Sequence, residues 1–74
     1  MDINEKVLLL GIYKKEDNET LSDIVLKLEA SGLFSLKDGK KLLKKLKKEE
    51  FVGDTILTLK GQLIGKQVED EFKI

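Results

Sequence analysis

The chain of 74 residues contains no cysteine and no histidine, and this absence limits how so short a chain can be stabilised. A domain of this size buries only about 60% of the surface that its unfolded chain exposes, and many such domains rely on disulfides or bound metals. Cysteine and histidine supply the disulfides and most zinc ligands. Regular helix packing and self-association remain, and the absence of proline suits uninterrupted helices. We therefore expect one helix-rich domain over residues 1–74.

The same composition argues against an enzyme, because zinc, haem and thiol chemistry depend mainly on cysteine and histidine. The acidic residues occur as sequence neighbours, such as Glu49 with Glu50. Neighbouring side chains on a helix point about 100° apart and so do not converge on one reacting atom. We predict no catalytic residue, no metal site and no cofactor.

No segment has the character of a membrane span or a signal peptide. The longest apolar run, residues 7–12, is interrupted by Gly11 and falls far short of the ~20 residues that cross a bilayer. The N-terminus carries Asp2 and Glu5 where a signal peptide is basic. The prediction is a cytoplasmic protein with no membrane partner, and the chain's completeness stays open.

The net charge is zero, but the charges are unevenly distributed along the chain. Residues 1–36 hold four lysines against seven acids, and residues 49–74 hold three lysines against six acids. Between them, residues 37–48 hold seven lysines against one aspartate, a balance of +6. All 14 basic residues are lysines, which attract polyanions but lack the guanidinium that grips a guanine edge in bidentate fashion.

Apolar spacing and capping signals predict four helices. The first runs from about Ile3 to Lys15 and is apolar on two sides, with one stripe of Ile3, Val7 and Leu10 and another of Leu8 and Ile12.

Thr20 with Asp23 has the form of a capping box before the second helix, and Ser35 with Asp38 repeats it before the third. The third helix extends to about Glu49 and carries lysines along one side.

Residues 51–52 and 55–57 have the composition of two short strands joined by a tight Gly53–Asp54 turn. Thr58 can cap a last helix, in which Gly61 and Gly65 share one side and allow close packing against the first helix.

Short motifs in residues 22–52 resemble the helix-turn-helix of winged-helix transcription regulators. Residues 22–24, SDI, stand where such domains carry SEIA, and Ser35 opens the second helix of the motif. LKKL at residues 43–46 and FV at residues 51–52 stand where these domains carry LKKL and the LV before the wing.

LTLKG at residues 57–61 is similar to the LTEKG that leads from the wing into the last helix. The resemblance implies an α+β winged helix-turn-helix. Its helix-turn-helix would occupy residues about 20–49, a short β-hairpin wing about 51–58 and a C-terminal helix about 59–72. We expect a core of Ile3, Val7, Leu10, Ile24, Leu28, Leu43, Leu46, Ile56 and Ile64.

The resemblance also implies a small DNA-binding transcription regulator whose third helix meets double-stranded DNA. The expected nucleic-acid-binding residues are Lys37, Asp38, Lys40, Lys41, Lys44, Lys45 and Lys48, with Lys47 beside them. The lysines would contact phosphates, and Asp38 would cap the helix or touch a base edge. A homodimer through the first and C-terminal helices would present two such helices to DNA half-sites.

A second hypothesis makes the domain a protein-interaction module that binds no nucleic acid. In it the lysines and Leu42, expected on the outward side of the third helix, dock an acidic protein partner. The surroundings of the lysines distinguish the two hypotheses. Acids of the loop after the first helix, or Glu69, Asp70 and Glu71, would neutralise the lysines if they folded over them.

Two other interpretations of a lysine-rich helix stay open. The lysines form a solvated helix face that binds no ligand, or they form a surface for anionic lipid.

Overall fold

The computed structural model describes residues 1–73 and contains four helices: α1 (Ile3–Tyr13), α2 (Leu21–Ala30), α3 (Leu36–Lys48) and α4 (Leu59–Phe72). Helix α1 contacts each of the other three helices, and α2 also contacts α3. The two apolar sides of α1 are thus explained by its central place, where neighbours cover it from more than one direction.

The helices begin at the residues that the capping signals indicate. Thr20 accepts a hydrogen bond from the amide of Asp23, whose side chain accepts one from the amide of Thr20, so the capping box is complete. Ser35 and Thr58 cap α3 and α4 in the same way, each accepting from the amide three residues later. These bonds satisfy amides that the helix itself leaves unpaired.

Helices α2 and α3 end in the same backbone motif. After α2, Gly32 has a φ of 86°, and the amide of Leu33 donates to the carbonyl of Leu28 at 3.2 Å. After α3, Glu50 takes the left-handed conformation, with a φ of 66°, and the amide of Phe51 donates to the carbonyl of Leu46 at 3.0 Å. Both ends are Schellman motifs, which turn the chain sharply and satisfy the last carbonyls.

The predicted α+β class is wrong: residues 1–73 form no strand, and the domain is a four-helix domain. In place of a β-hairpin wing there is one isolated antiparallel bridge between Val52 and Leu57, closed by a 2.7 Å hydrogen bond from the Gly53 amide to the Ile56 carbonyl. The two arms are too short for a ladder, because Thr58 already caps α4 on the far side of the bridge.

The predicted core is correct in part. Ile24 and Leu46 are buried, and Leu28, Leu43 and Ile64 are partly buried against the core. The buried apolar residues are Leu8, Leu9, Ile12, Leu21, Ile24, Val25, Phe34, Leu46, Val52, Leu57 and Val68.

Ile3 and Ile56 are each 59% exposed, so their assignment to the core is wrong. Val7 and Leu10 are only partly buried, while Leu8 and Leu9 are fully enclosed. Because α1 is apolar on two sides, its periodicity alone does not identify the side that is buried more deeply.

Two glycines let α4 approach its neighbours. A Cβ on Gly65 would lie 2.8 Å from the Tyr13 ring, so α4 packs closely on α1 here, as expected. A Cβ on Gly61 would lie 1.8 Å from the carbonyl oxygen of Phe51. Gly61 therefore packs against the backbone after α3 and not against α1.

Candidate nucleic-acid interface

Six lysines project from the outer side of α3, opposite the side that meets the core. Gly39 and Leu46 are buried on the inner side. A Cβ on Gly39 would lie 2.5 Å from Cε1 of Phe34, so the Phe34 ring fills the space that an aliphatic side chain on α3 would need. With 100° between successive residues, the six exposed lysines span about a third of the helix circumference. We call this surface the lysine face: Lys37, Lys40, Lys41, Lys44, Lys47 and Lys48.

Three of the acids that could neutralise the lysine face bind other lysines. Glu19, in the loop after α1, forms its ion pair with Lys27 of α2. At the C-terminal end, Glu69 lies 3.1 Å from Lys14. These contacts lower the pKa of Glu69, chiefly through the hydrogen bond from Lys14, and that of Glu19, first through the amide of Glu16 and then through Lys27.

Glu71 lies 2.8 Å from Lys6, again away from α3. Within residues 1–73, no carboxylate oxygen lies within 4.0 Å of a lysine-face ammonium. The charge of this surface is therefore not compensated by direct ion pairs.

One edge of the lysine face borders acidic residues. Lys47 lines a depression of about 410 Å³ together with Asp17, Glu19 and Asp54. The acidic tip of the short turn after α3 thus lies on the Lys47 side. The other lysines of the face do not line this depression, so Lys47 has the least favourable surroundings for an anion.

Lys45 differs from the other predicted phosphate contacts. Its Nζ donates a 2.7 Å hydrogen bond to Oε1 of Glu5, whose side chain is only 4% exposed. This bond raises the pKa of the Lys45 ammonium, and the charge of Glu5 adds to the effect. Lys45 therefore joins α3 to α1 and compensates a buried carboxylate. Sequence analysis missed Glu5, since a partner 40 positions away leaves no local signal.

Asp38 and Leu42 flank the lysine face. The amide of Asp38 donates a hydrogen bond to the Ser35 hydroxyl at 3.1 Å. The exposed carboxylate of Asp38 lies in the first turn of α3, where its negative charge interacts favourably with the helix dipole.

The prediction that Leu42 points outward is wrong: Leu42 is partly buried and packs against the core. Leu42 therefore offers no free apolar anchor to a partner.

An apolar cleft adjoins the lysine face. Leu26 of α2 and Leu36 of α3 are 48% and 37% exposed, and they line a depression of about 190 Å³ with Lys40 and Leu43. Sequence reasoning did not single out this pair, although Leu26 departs from the apolar stripe of α2.

Across residues 1–73 there is no cluster of three or more potential metal ligands, and no helix has both the length and the apolar character to cross a bilayer. Comparison of the chain with family models, curated proteins and solved structures found no match.

Proposed function

We propose that this domain binds double-stranded DNA through the lysine face, as a small cytoplasmic regulator that carries out no reaction of its own. The observation that carries the proposal is the concentration of six lysines on one side of α3, with no carboxylate of residues 1–73 within 4.0 Å of them. The close contact between α2 and α3 and the resemblance of residues 22–52 to a helix-turn-helix support it.

The mechanism is electrostatic. A helix rises about 1.5 Å per residue, so Lys37 and Lys48 lie about 16 Å apart along α3 and span several phosphates of a duplex. Each lysine that neutralises a phosphate releases a bound counterion, which favours binding at low salt. Lysines lack the bidentate fork that reads guanine, so we expect weak dependence on base sequence. Asp38 at the start of the face would orient the helix by repelling phosphates.

The test is fluorescence anisotropy of a labelled random duplex at several salt concentrations. Five or six phosphate contacts predict a slope of log affinity against log salt of about −5, since each contact contributes about −0.9. The variant Lys41→Gln with Lys44→Gln should bind more weakly, with a slope less steep by about 1.8.

A matched control removes two lysines elsewhere. Lys27→Gln with Lys73→Gln changes the net charge by the same amount, and neither residue lies on α3. We expect this control to bind nearly as tightly as the native chain. No binding by the folded protein at about 20 mM salt, or equal losses in the two variants, would contradict a DNA interface on α3.

The second candidate is an interaction module for an acidic protein partner, and the cleft beside Lys40 favours it. An acidic helix with an apolar side chain could place that side chain between Leu26 and Leu36 and its carboxylates against the lysines. Absence of DNA binding by the folded protein would make this the better candidate.

A further inference from the structure

Leu36, the first residue of α3, is an exposed apolar side chain beside the lysine face. It is 37% exposed, whereas the other three leucines of α3 are buried or partly buried. Lys37 follows it directly, and Lys40 lies one turn later on nearly the same side of the helix. Leu36 lines the apolar cleft of about 190 Å³ together with Lys40 and with Leu26 of α2. An apolar group thus lies next to ammonium groups that attract phosphates.

The charges around the apolar cleft are arranged for a neutral group. Of the residues in 1–73 that line the cleft, only Lys40 is charged. Asp23 and Glu29 precede and follow the α2 leucine of the cleft by one turn, but neither lines it. Asp38 lies about 160° around α3 from Leu36. Phosphates are therefore attracted to the α3 side of the cleft, and the cleft itself suits an apolar group that accompanies them.

Double-stranded DNA presents such a group next to its phosphates. Among the base edges in the major groove, the C5-methyl of thymine is the apolar one. The major groove admits a helix, and the N-terminal residues of a helix that lies in it reach the base edges. Leu36 is such a residue. A partner helix would instead need a row of apolar anchors, but one turn after Leu36 the outer side of α3 carries lysine.

We propose that Leu36 packs against the C5-methyl group of thymine in the major groove, with Leu26 closing the far side of the cleft. The inference rests on the proposed function, since it names the base contact that the same site makes. Burial of one methyl group raises an affinity about fourfold. The preference for thymine is thus small beside the salt-dependent contribution of the phosphates, which agrees with a weak dependence on base sequence.

The test compares two A·T-rich duplexes of one sequence, the first with thymine and the second with deoxyuridine at each thymine position. Deoxyuridine lacks only the methyl group, so both duplexes have the same charge and the same hydrogen-bonding edges. By fluorescence anisotropy at about 50 mM salt, we expect the native protein to bind the thymine duplex about fourfold more tightly. The dependence on salt should be the same for both duplexes, because the phosphate contacts do not change.

A variant and a matched control locate the contact. Leu36→Ala should bring the ratio of the two affinities to about one and leave binding to the deoxyuridine duplex nearly unchanged. Alanine favours a helix, so circular dichroism should show the native helix content. Leu59→Ala is the control, because Leu59 is exposed and is likewise the first residue of its helix, directly after the cap residue Thr58. It should keep the fourfold ratio, and loss of the ratio in both variants would contradict a contact at Leu36.

The outcomes separate this inference from the proposed function. Equal binding of both duplexes by the native protein overturns the thymine contact and leaves DNA binding by the lysine face intact. A folded protein that binds neither duplex overturns both proposals. A folded protein that binds an acidic helical peptide through Leu36, and no DNA, would have a protein as the occupant of the cleft, and the inference would be wrong.

Discussion

At the scale of single residues, Glu50 stands out because it carries a side chain in a conformation that favours glycine. Among residues 1–73, Glu50 is the only residue other than glycine that has a positive φ, which is 66°. The position after the last helical turn needs this conformation for the Schellman motif, and an L residue with a side chain is strained there by about 1–2 kcal/mol. The same position after α2 is occupied by Gly32.

We therefore expect Glu50→Gly to raise the free energy of unfolding by about 0.5–1 kcal/mol, the strain relieved less the entropy that glycine adds to the unfolded chain. Urea unfolding followed by circular dichroism measures it. Glu49→Gly is the matched control, because it removes the same charge at a φ of −82° and should lower stability. Stabilisation of equal size in both variants would mean that lost charge, and not backbone strain, is responsible.

Glu5 and Lys45 show how a single contact changes the interpretation of a charged residue. In the sequence, Lys45 resembles its neighbours on α3, and the resemblance to a helix-turn-helix assigns it to nucleic-acid binding together with them. Its bond to the buried Glu5 depends on how α1 and α3 pack, which local sequence does not contain. The other lysines of the candidate site lie where helical periodicity predicts, because their placement depends only on α3 itself.

At the scale of elements, the helix starts were predictable and the wing was not. A capping side chain bonds to an amide three residues away, so Thr20, Ser35 and Thr58 carry complete local signals. A hairpin needs pairing between two arms, and the arms available before Thr58 support only the Val52–Leu57 bridge. The composition of residues 51–52 and 55–57, on either side of Gly53–Asp54, indicated strands where the chain forms an irregular turn.

The capping box of α2 makes a prediction at this scale. Thr20→Ala removes the acceptor for the Asp23 amide and should lower the free energy of unfolding by about 1 kcal/mol. Thermal and urea denaturation both measure this. Ser22→Ala is the control: Ser22 is exposed within the first turn, and no hydrogen bond of its hydroxyl occurs in the part of the chain described. A loss in the control as large as in Thr20→Ala would show that the cap contributes little.

At the scale of the whole molecule, ionic contacts around the periphery make stability depend on pH. The pKa of Asp2 is lowered chiefly by the amide of Glu5, that of Glu19 by the amide of Glu16 and by Lys27, and that of Glu69 by Lys14. Two of these carboxylates join different parts of the chain: Glu69 links α4 to Lys14 after α1, and Glu19 links the following loop to α2.

A carboxylate whose pKa is lower in the folded state stabilises the fold above its unfolded pKa. The ordinary values are 3.8 for Asp and 4.5 for Glu, so this stabilisation is complete above about pH 5 and is lost as the pH falls through the folded pKa values. We expect the free energy of unfolding, measured in urea between about pH 7 and 3, to stay level and then fall below about pH 4.5.

Two variants test which carboxylates cause this fall. Glu19→Gln with Glu69→Gln should flatten it, because both contacts are then absent at every pH. Asp70→Asn, which removes a carboxylate without an ion pair among residues 1–73, should preserve it. A fall that is as steep in the double variant as in the native chain would place the acid sensitivity elsewhere, with Asp2 at the start of α1 as the next residue to replace.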